Sequence, residues 1–159
     1  MTTGRGPDIH RILIICEGNH CRGPMAEVMF RAVLPAELQV GSAGIGALEG
    51  WPADPEACRI LEAEGLDASG HLGRQLTQEM LLAADLVLVM DLAQKAWCER
   101  MTPSLLGRIF LLGHWRPAGS QEIADPFRQG PEAFHVAYEA IRESVSDWLP
   151  RLVHEPRLA

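Results

Sequence analysis

The sequence predicts an α/β domain, in which a four-stranded parallel sheet carries helices on both faces. Short apolar runs alternate along the chain with apolar stripes of helical period, a pattern typical of βαβ units with right-handed crossovers. The runs contain few polar residues, which indicates strands that are buried on both faces. A chain of 159 residues is long enough for one compact domain and too short for two ordinary ones.

The first strand, a loop and the first helix follow one another near the start of the chain. Residues 12–15 form an aliphatic run rich in β-branched side chains, which predicts the first buried strand. Residues 16–24 are rich in turn formers and end that strand. Apolar residues then recur with helical period, and Pro24 suits the first turn of this helix. The predicted stripe comprises Met25, Val28, Met29, Ala32 and Val33.

Three further strands complete the predicted sheet. A weaker strand is expected around residues 38–42, and the glycine-rich residues 43–53 after it predict a long irregular loop. Residues 86–90 and 109–112 are uninterrupted apolar runs, which predict two strongly buried strands.

Three further helices are marked by their first residues. Asp54 is predicted to be the N-cap of a helix that ends at Gly65. Asp91 is predicted to cap the next helix, with Gln94 at the spacing of a capping box. Pro131 opens the last helix, whose apolar stripe comprises Phe134, Ala137, Tyr138, Ile141, Val145, Trp148 and Leu149.

The composition of the chain indicates which binding partners and which cellular compartment to expect. The net charge of −7 argues against a nucleic-acid partner. No apolar run approaches the roughly 18 residues of a membrane span, so we expect no membrane insertion. The polar start does not resemble a signal peptide, and four cysteines are too few for a secreted disulfide scaffold, which favours a cytoplasmic protein. We expect a single domain over residues 9–152, with tails at 1–8 and 153–159.

The loop after the first strand carries the chemistry. In open α/β sheets, ligands bind beyond the carboxyl ends of the strands where the strand order reverses, and the first strand ends at Cys16. Arg22 follows after five intervening residues, at the start of a helix. Loop amides, a helix amino terminus and a guanidinium all favour an anion, and the same groups favour a thiolate. Cys16 is therefore a candidate nucleophile for phosphorus, while Gly18 permits a tight backbone and Asn19 is expected to brace the loop.

Two other interpretations of this segment were weighed. The spacing of Cys16 and Arg22 alone is also compatible with core packing plus a surface charge. His10, Cys16, His20 and Cys21 lack a second ligand pair at zinc spacing. We therefore predict no metal and no organic cofactor.

The wider sequence resembles the active-site signature of the low-molecular-weight protein-tyrosine phosphatases. That signature reads Cys-x-Gly-Asn-x-Cys-Arg-Ser-Pro-x-Ala-Glu, and residues 16–27 meet every specified position except one. The resemblance implies a flavodoxin- or Rossmann-like sheet with strand order 2-1-3-4. It continues over nearly the whole chain, in Ser42-Ala43-Gly44, Gly70-His71, Arg74-Gln75 and Asp125-Pro126-Phe127.

Two further segments, residues 44–48 and 113–115, resemble the bacterial members tied to capsule and exopolysaccharide export. Those members act on the phosphorylated tyrosine tail of a membrane tyrosine kinase. The resemblance thus implies a phosphotyrosine-protein phosphatase whose substrate is the tail of a tyrosine autokinase, and which also binds phosphate and other oxyanions.

The resemblance also implies roles for single residues. Cys16 forms a cysteinyl-phosphate, Arg22 holds the phosphoryl oxygens and Asp125 is the general acid. Cys21 is implied as a disulfide partner that protects Cys16 from irreversible oxidation. The remaining contacts to phosphate or substrate are assigned to Glu17, Gly18, Asn19, His20, Cys21, Gly23, Leu48 and Phe127, with Trp51 as an alternative to Leu48.

Two aspartates that precede a proline compete for the role of proton donor. Asp54 leads directly into a helical pattern, which favours a capping role. Asp125 is separated from the next helix by residues 126–130, so its carboxylate lies on a rigid loop where it can face a ligand. The family's general acid is also the aspartate of an Asp-Pro-aromatic loop. The sequence therefore favours Asp125.

Gly23 departs from the signature, because the family carries serine there. That hydroxyl can donate to the thiolate and to the departing sulfur, so we expect slow breakdown of the intermediate and a gain in turnover in Gly23→Ser. His20 stands where the tyrosine-specific members usually carry an aliphatic residue and the family's protein-arginine phosphatases carry threonine.

Three alternative functions remain open on the sequence. His20 keeps a protein-arginine phosphatase in consideration. Gly23, together with Glu17, whose side chain we assume to point outward, leaves room for an impaired phosphate-binding regulatory module. An arsenate reductase would need Cys58 and Cys98 as electron relays, and it is disfavoured because both lie in predicted helices.

Overall fold

The computed structural model describes residues 8–153 and confirms the predicted parallel sheet. All strand pairs are parallel, and the order β2-β1-β3-β4 is the one expected. The predicted tails lie outside the described residues, apart from Asp8 and Val153. The strands are β1 (Arg11–Cys16), β2 (Gln39–Gly44), β3 (Leu86–Val89) and β4 (Ile109–Leu111).

Five helices accompany the sheet within the described residues: α1 (Arg22–Val33), α2 (Pro55–Ala63), α3 (Gln78–Ala83), α4 (Leu92–Met101) and α5 (Pro131–Leu152). A short 3₁₀ turn spans Pro103–Leu105. Neither this turn nor α3 was predicted from the sequence, because a helix of six residues or fewer is too short to show a helical period. The available signal was Thr77, whose side chain caps α3 by accepting from the Met80 N–H. Between residues 8 and 153, no helix is long and apolar enough to cross a membrane.

The side chains on the two faces of β1 pack into two separate hydrophobic cores. Ile12 and Ile14 pack into a cluster formed with apolar side chains of α1, α2 and α5. Leu13 and Ile15 point to the other face. The cluster on that face contains Leu81 of α3 together with apolar side chains of β3, β4 and α4. Because successive strand residues point to opposite faces, a run without polar residues is what a doubly covered strand requires.

The predicted stripe of α1 is wrong in its last turn. Ala32 and Val33 are exposed, whereas Ala26 and Phe30 are fully buried. The first two turns of α1 are enclosed on nearly all sides, so their apolar residues do not mark a single face. In the second half of α1 the buried face therefore includes Phe30 and does not include Val33.

The predicted caps are present. The Asp54 side chain accepts from the Glu56 N–H at the start of α2, and the Asp91 side chain accepts from the Gln94 N–H at the start of α4. The capping box of α4 is shifted by one residue, because the Gln94 side chain accepts from the N–H of Met90 and not from that of Asp91.

Asp85 ties the start of β1 to the start of β3. Its Oδ2 accepts from the backbone N–H groups of His10 and Arg11 at 2.8 and 2.9 Å. Partial burial works to raise the pKa of Asp85, but those two N–H groups and nearby positive charges hold it below its usual 3.8.

We expect Asp85→Ala to lower the free energy of unfolding by about 1–2 kcal/mol at neutral pH, because two hydrogen bonds to a partly solvated carboxylate are lost. A depressed folded-state pKa stabilises the fold above the unfolded value and loses that effect as the pH falls through the folded value. The deficit relative to wild type should therefore shrink below about pH 3.8. Urea titrations at several pH values measure it, with the exposed Glu37→Ala as control. A deficit that is constant with pH would contradict this account.

Candidate active site

The segment from Cys16 to Arg22 lies at the point where the strand order reverses. Cys16 ends β1, and Arg22 is the first residue of α1. β1 is central, with β2 on one side and β3 on the other, so the chain leaves β1 toward one edge and later returns to the opposite side. This carboxyl end of β1 is the expected ligand position in a doubly wound sheet.

The loop between them has its carbonyl groups turned outward. Five consecutive carbonyls, those of residues 16–20, each accept a hydrogen bond of 2.7–3.1 Å from a surrounding segment. In a planar trans peptide the N–H points opposite to the carbonyl, so the loop N–H groups are directed to the inside. The donors are the N–H groups of Ile45, Gly46, Leu48 and Asp54 and the Nε2 of His71.

Asn19 braces this loop, as the sequence predicted. Its backbone is in the left-handed region, with φ of 52°, and its N–H lies 3.2 Å from the Cys16 Sγ. Its side chain donates to the Ser42 Oγ and accepts from the Arg74 N–H, both at 2.9 Å. The sequence analysis did not assign these bracing roles to Ser42, His71 and Arg74, although all three lie in the segments that carry the resemblance.

The Cys16 thiol experiences opposing electrostatic effects. Burial is the strongest influence and raises the pKa of the thiol. The Arg22 guanidinium and the backbone N–H groups of Gly23, Asn19 and His20 act in the opposite direction. The loop sequence alone led us to expect a lowered pKa for the Cys16 thiol, and that expectation did not include the effect of burial. A lowered pKa for Cys16 therefore stays a prediction.

Arg22 and Asp125 lie beside each other at the cavity that Cys16 also borders. The Arg22 side chain is only 4% exposed and donates to the Ile123 carbonyl at 2.7 Å. Its second terminal nitrogen lies 3.7 Å from the Asp125 Oδ2. The Asp125 side chain remains 44% exposed, and its Oδ1 accepts from the Phe127 N–H. The guanidinium is thus held in place, and the carboxylate beside it is open to a ligand.

These groups border one cavity of about 150 Å³. Of the predicted site residues, Asn19 and Gly23 do not line it, and neither does Trp51, which is half exposed. Gly46 lines it and was not predicted. Glu17 is exposed at the rim, as assumed. The full lining comprises Cys16, Glu17, Gly18, His20, Cys21, Arg22, Gly46, Leu48, Asp125 and Phe127.

Comparison with known proteins identifies the family. Residues 11–157 match the family model described as low molecular weight phosphotyrosine protein phosphatase. The chain belongs to this family. A probable low molecular weight protein-tyrosine-phosphatase, EpsP from Ralstonia nicotianae, is 44% identical over 91% of this chain and 97% of its own length.

Solved structures agree with this assignment. The tyrosine phosphatase AmsI of Erwinia amylovora has a TM-score of 0.89 and 34% identity, over 95% of this chain and 98% of that one. Wzb of Vibrio vulnificus, solved with benzylphosphonate, has a TM-score of 0.84 and 35% identity, over 91% of this chain and 99% of that one. The protein is a protein-tyrosine phosphatase of the low-molecular-weight type.

The two candidate acids of this phosphatase occupy different surroundings. Asp54 uses Oδ1 to cap α2, and its Oδ2 lies 3.2 Å from the Nε2 of His20, outside the cavity lining. Asp125 lines the cavity beside Arg22. Only Asp125 therefore borders the space in which a leaving group can lie.

The remaining cysteines of this phosphatase lie apart from the cavity. Cys58 packs against the core under α2, and Cys98 is buried in the core on the opposite face of the sheet. Neither lines the cavity that Cys16 borders. A relay of electrons through both, as an arsenate reductase requires, is not favoured by this arrangement.

Gly23 stands directly against the Cys16 sulfur. A Cβ at this position would lie 2.9 Å from the Cys16 Sγ and 3.2 Å from the Asn19 Nδ2. Both distances are below an ordinary van der Waals contact, so any side chain at position 23 has to displace the sulfur. The gain in turnover expected from the sequence for Gly23→Ser did not include this crowding.

Two variants separate crowding from hydrogen bonding. We expect Gly23→Ala to lower turnover, because it adds only the Cβ. Gly23→Ser should exceed Gly23→Ala by about tenfold or more, because a hydrogen bond to a charged sulfur contributes about 1.5–3 kcal/mol. Pre-steady-state kinetics on an aryl phosphate measure the breakdown of the intermediate. Equal rates in the two variants would remove the role assigned to the hydroxyl.

Proposed function

We propose that this phosphatase hydrolyses phosphotyrosine in proteins through a cysteinyl-phosphate, with Cys16 as nucleophile, Arg22 as phosphoryl clamp and Asp125 as general acid. The observation that carries the proposal is that a thiol, a held guanidinium and an open carboxylate border one small cavity. A phosphoryl group needs all three at once, because its transfer depends on positioning and on the stabilisation of charge.

In the first step the Cys16 thiolate attacks phosphorus as the bond to the tyrosine oxygen breaks. The electron pair of that bond goes to the phenolic oxygen, which takes a proton from Asp125. Arg22 and the inward N–H groups hold the three equatorial oxygens and stabilise the thiolate against the cost of its burial. In the second step water attacks phosphorus, the Asp125 carboxylate takes its proton, and the sulfur leaves as a thiolate.

The other predicted residues complete the binding site in this proposal. Leu48 and Phe127 border the cavity and form the walls for the flat phenol ring. Trp51 is assigned no contact with the substrate. The remaining predicted residues bind the phosphoryl group through their backbone N–H groups. These residues are Glu17, Gly18, Asn19, His20, Cys21 and Gly23.

We further propose a cytoplasmic enzyme with one catalytic domain, residues 9–152, that acts on the phosphorylated tail of a tyrosine autokinase. Support comes from the resemblance to the capsule and exopolysaccharide members and from 44% identity to a relative named EpsP. The net charge of −7 favours a protein substrate over a nucleic acid.

Paired peptides test the substrate class. One sequence is prepared with phosphotyrosine and with phosphoarginine, and kcat/KM is measured for both. We expect phosphotyrosine to be favoured by at least about 100-fold, since Leu48 and the aromatic Phe127 border the cavity and suit a flat phenol ring. A preference for phosphoarginine would reassign the enzyme, and phosphate binding without turnover of either peptide would indicate a regulatory module.

A further inference from the structure

Three potential metal ligands converge beside the catalytic cavity: His20 and Cys21 line it, and Asp54 lies next to them. The ligand atoms of His20, Cys21 and Asp54 all lie within 4.8 Å of one another. His20 and Cys21 belong to the loop and are buried, and Asp54 is the partly buried cap of α2. The proposed reaction gives these three side chains no task.

The ring of His20 faces two groups that can only accept hydrogen bonds. Its Nδ1 lies 2.9 Å from the Pro52 carbonyl oxygen, and its Nε2 lies 3.2 Å from the Asp54 Oδ2. Because the Pro52 carbonyl needs a donor, Nδ1 carries a proton, and the Nε2 of the neutral ring then has its lone pair directed at a carboxylate. The 3.2 Å separation of Nε2 and Oδ2 leaves room for a proton or a metal ion that joins the two atoms.

The separation of the His20 Nε2 and the Asp54 Oδ2 matches the spacing of two zinc ligands. Two ligands at about 2.0–2.1 Å from a tetrahedral zinc ion are about 3.3 Å apart, close to the separation of His20 Nε2 and Asp54 Oδ2. Imidazole nitrogen, carboxylate oxygen and thiolate sulfur are all zinc ligands. The Nδ1–H that His20 donates to a backbone carbonyl is the outer contact that orients most metal-bound histidines.

The electrostatic surroundings of Cys21 also favour a cation. Burial and the carboxylates of Asp54 and Asp125 raise the pKa of the Cys21 thiol well above its usual range. The carboxylates of Asp54 and Asp125 also attract a divalent ion, against the positive charge of Arg22 and the cost of burial. Binding then replaces the thiol proton, which is released to solvent as the sulfur–zinc bond forms.

We propose that His20, Cys21 and Asp54 form a Zn²⁺ site beside the catalytic cavity, with a fourth position open to water or an oxyanion. The sequence predicted no metal because His10, Cys16, His20 and Cys21 lack a second ligand pair at zinc spacing; Asp54, more than thirty residues away, was not among the candidates.

Zinc titration of the full chain, in competition with a chromogenic chelator, tests the site. We expect one ion per chain, with affinity reduced by at least about 100-fold in Cys21→Ser and in His20→Asn, since changes to outer contacts alone cost about 10–100-fold. Asp54→Asn should also weaken binding, whereas Asp91→Asn, at the matched cap of α4, should not. Circular dichroism shows which variants keep the fold.

Cys16→Ser distinguishes this site from zinc bound to the nucleophile. We expect this variant to retain its zinc affinity. With Co²⁺ as the probe, wild type and Cys16→Ser should show a sulfur-to-cobalt absorption band that Cys21→Ser lacks, which gives a readout independent of affinity and activity. Loss of binding in Cys16→Ser with retention in Cys21→Ser would overturn the proposal. So would the absence of saturable binding in wild type, which would leave a proton as the cation between His20 and Asp54.

Discussion

Cys16→Ser should lower kcat/KM for an aryl phosphate by at least about 10⁴-fold, because a serine hydroxyl in a buried pocket lacks the nucleophilicity of a thiolate. Affinity for inorganic phosphate should persist, since the Arg22 guanidinium and the inward N–H groups are unchanged. Steady-state assays give the loss of rate, and isothermal titration with phosphate shows that the pocket survives.

Cys58→Ser provides the matched control for that variant. Its sulfur is partly buried and lies outside the cavity lining, so the same substitution should leave the rate near that of wild type. If Cys16→Ser and wild type turned over at the same low rate, the site would be a phosphate-binding module and the covalent mechanism would be wrong.

Asp125→Asn should lower kcat by about 10²–10⁴-fold, because the phenolic oxygen then leaves without a proton. Asparagine keeps the size of the side chain and can still accept from the Phe127 N–H. The defect should shrink as the leaving group becomes more acidic, since a good leaving group needs little protonation. Rates for a series of substituted phenyl phosphates measure this dependence.

Two other aspartates are useful comparisons for Asp125→Asn. Asp91 caps α4 away from the cavity, so Asp91→Asn should keep the wild-type rate. Asp54→Asn removes a charge beside His20 but leaves the proposed acid in place, so its leaving-group dependence should match that of wild type. A defect in Asp54→Asn that tracked leaving-group acidity would transfer the role of acid to Asp54.

The central electrostatic question is how the loop offsets the burial of Cys16, the proposed nucleophile. Cys16 is almost fully buried, which disfavours a thiolate, while Arg22 is equally buried and carries a fixed positive charge. Arginine stays protonated even when buried, so its charge is available to the sulfur before substrate arrives. Outward pairing of the loop carbonyls orients the N–H dipoles in advance, so little reorganisation is required during the reaction.

The sequence alone determined the fold and the chemical identity of the site. The strands and four of the five described helices could be predicted, because each leaves a local signal: an unbroken apolar run, a stripe of helical period, or a capping residue such as Asp54. Cys16 and Arg22 could be singled out because both lie in one short loop between a strand and a helix.

Only the tertiary structure decided which distant groups surround that loop. The bracing of Asn19 by Ser42 and Arg74, the crowding behind Cys16 at Gly23, and the approach of Asp54 to His20 join residues that have no periodic relation in the sequence. The degree of burial is also decided by tertiary packing. Distant segments enclose the Cys16 thiol and leave the last turn of α1 exposed. Local patterns encode local backbone preferences, whereas distances between separate elements follow from the packing of the whole domain.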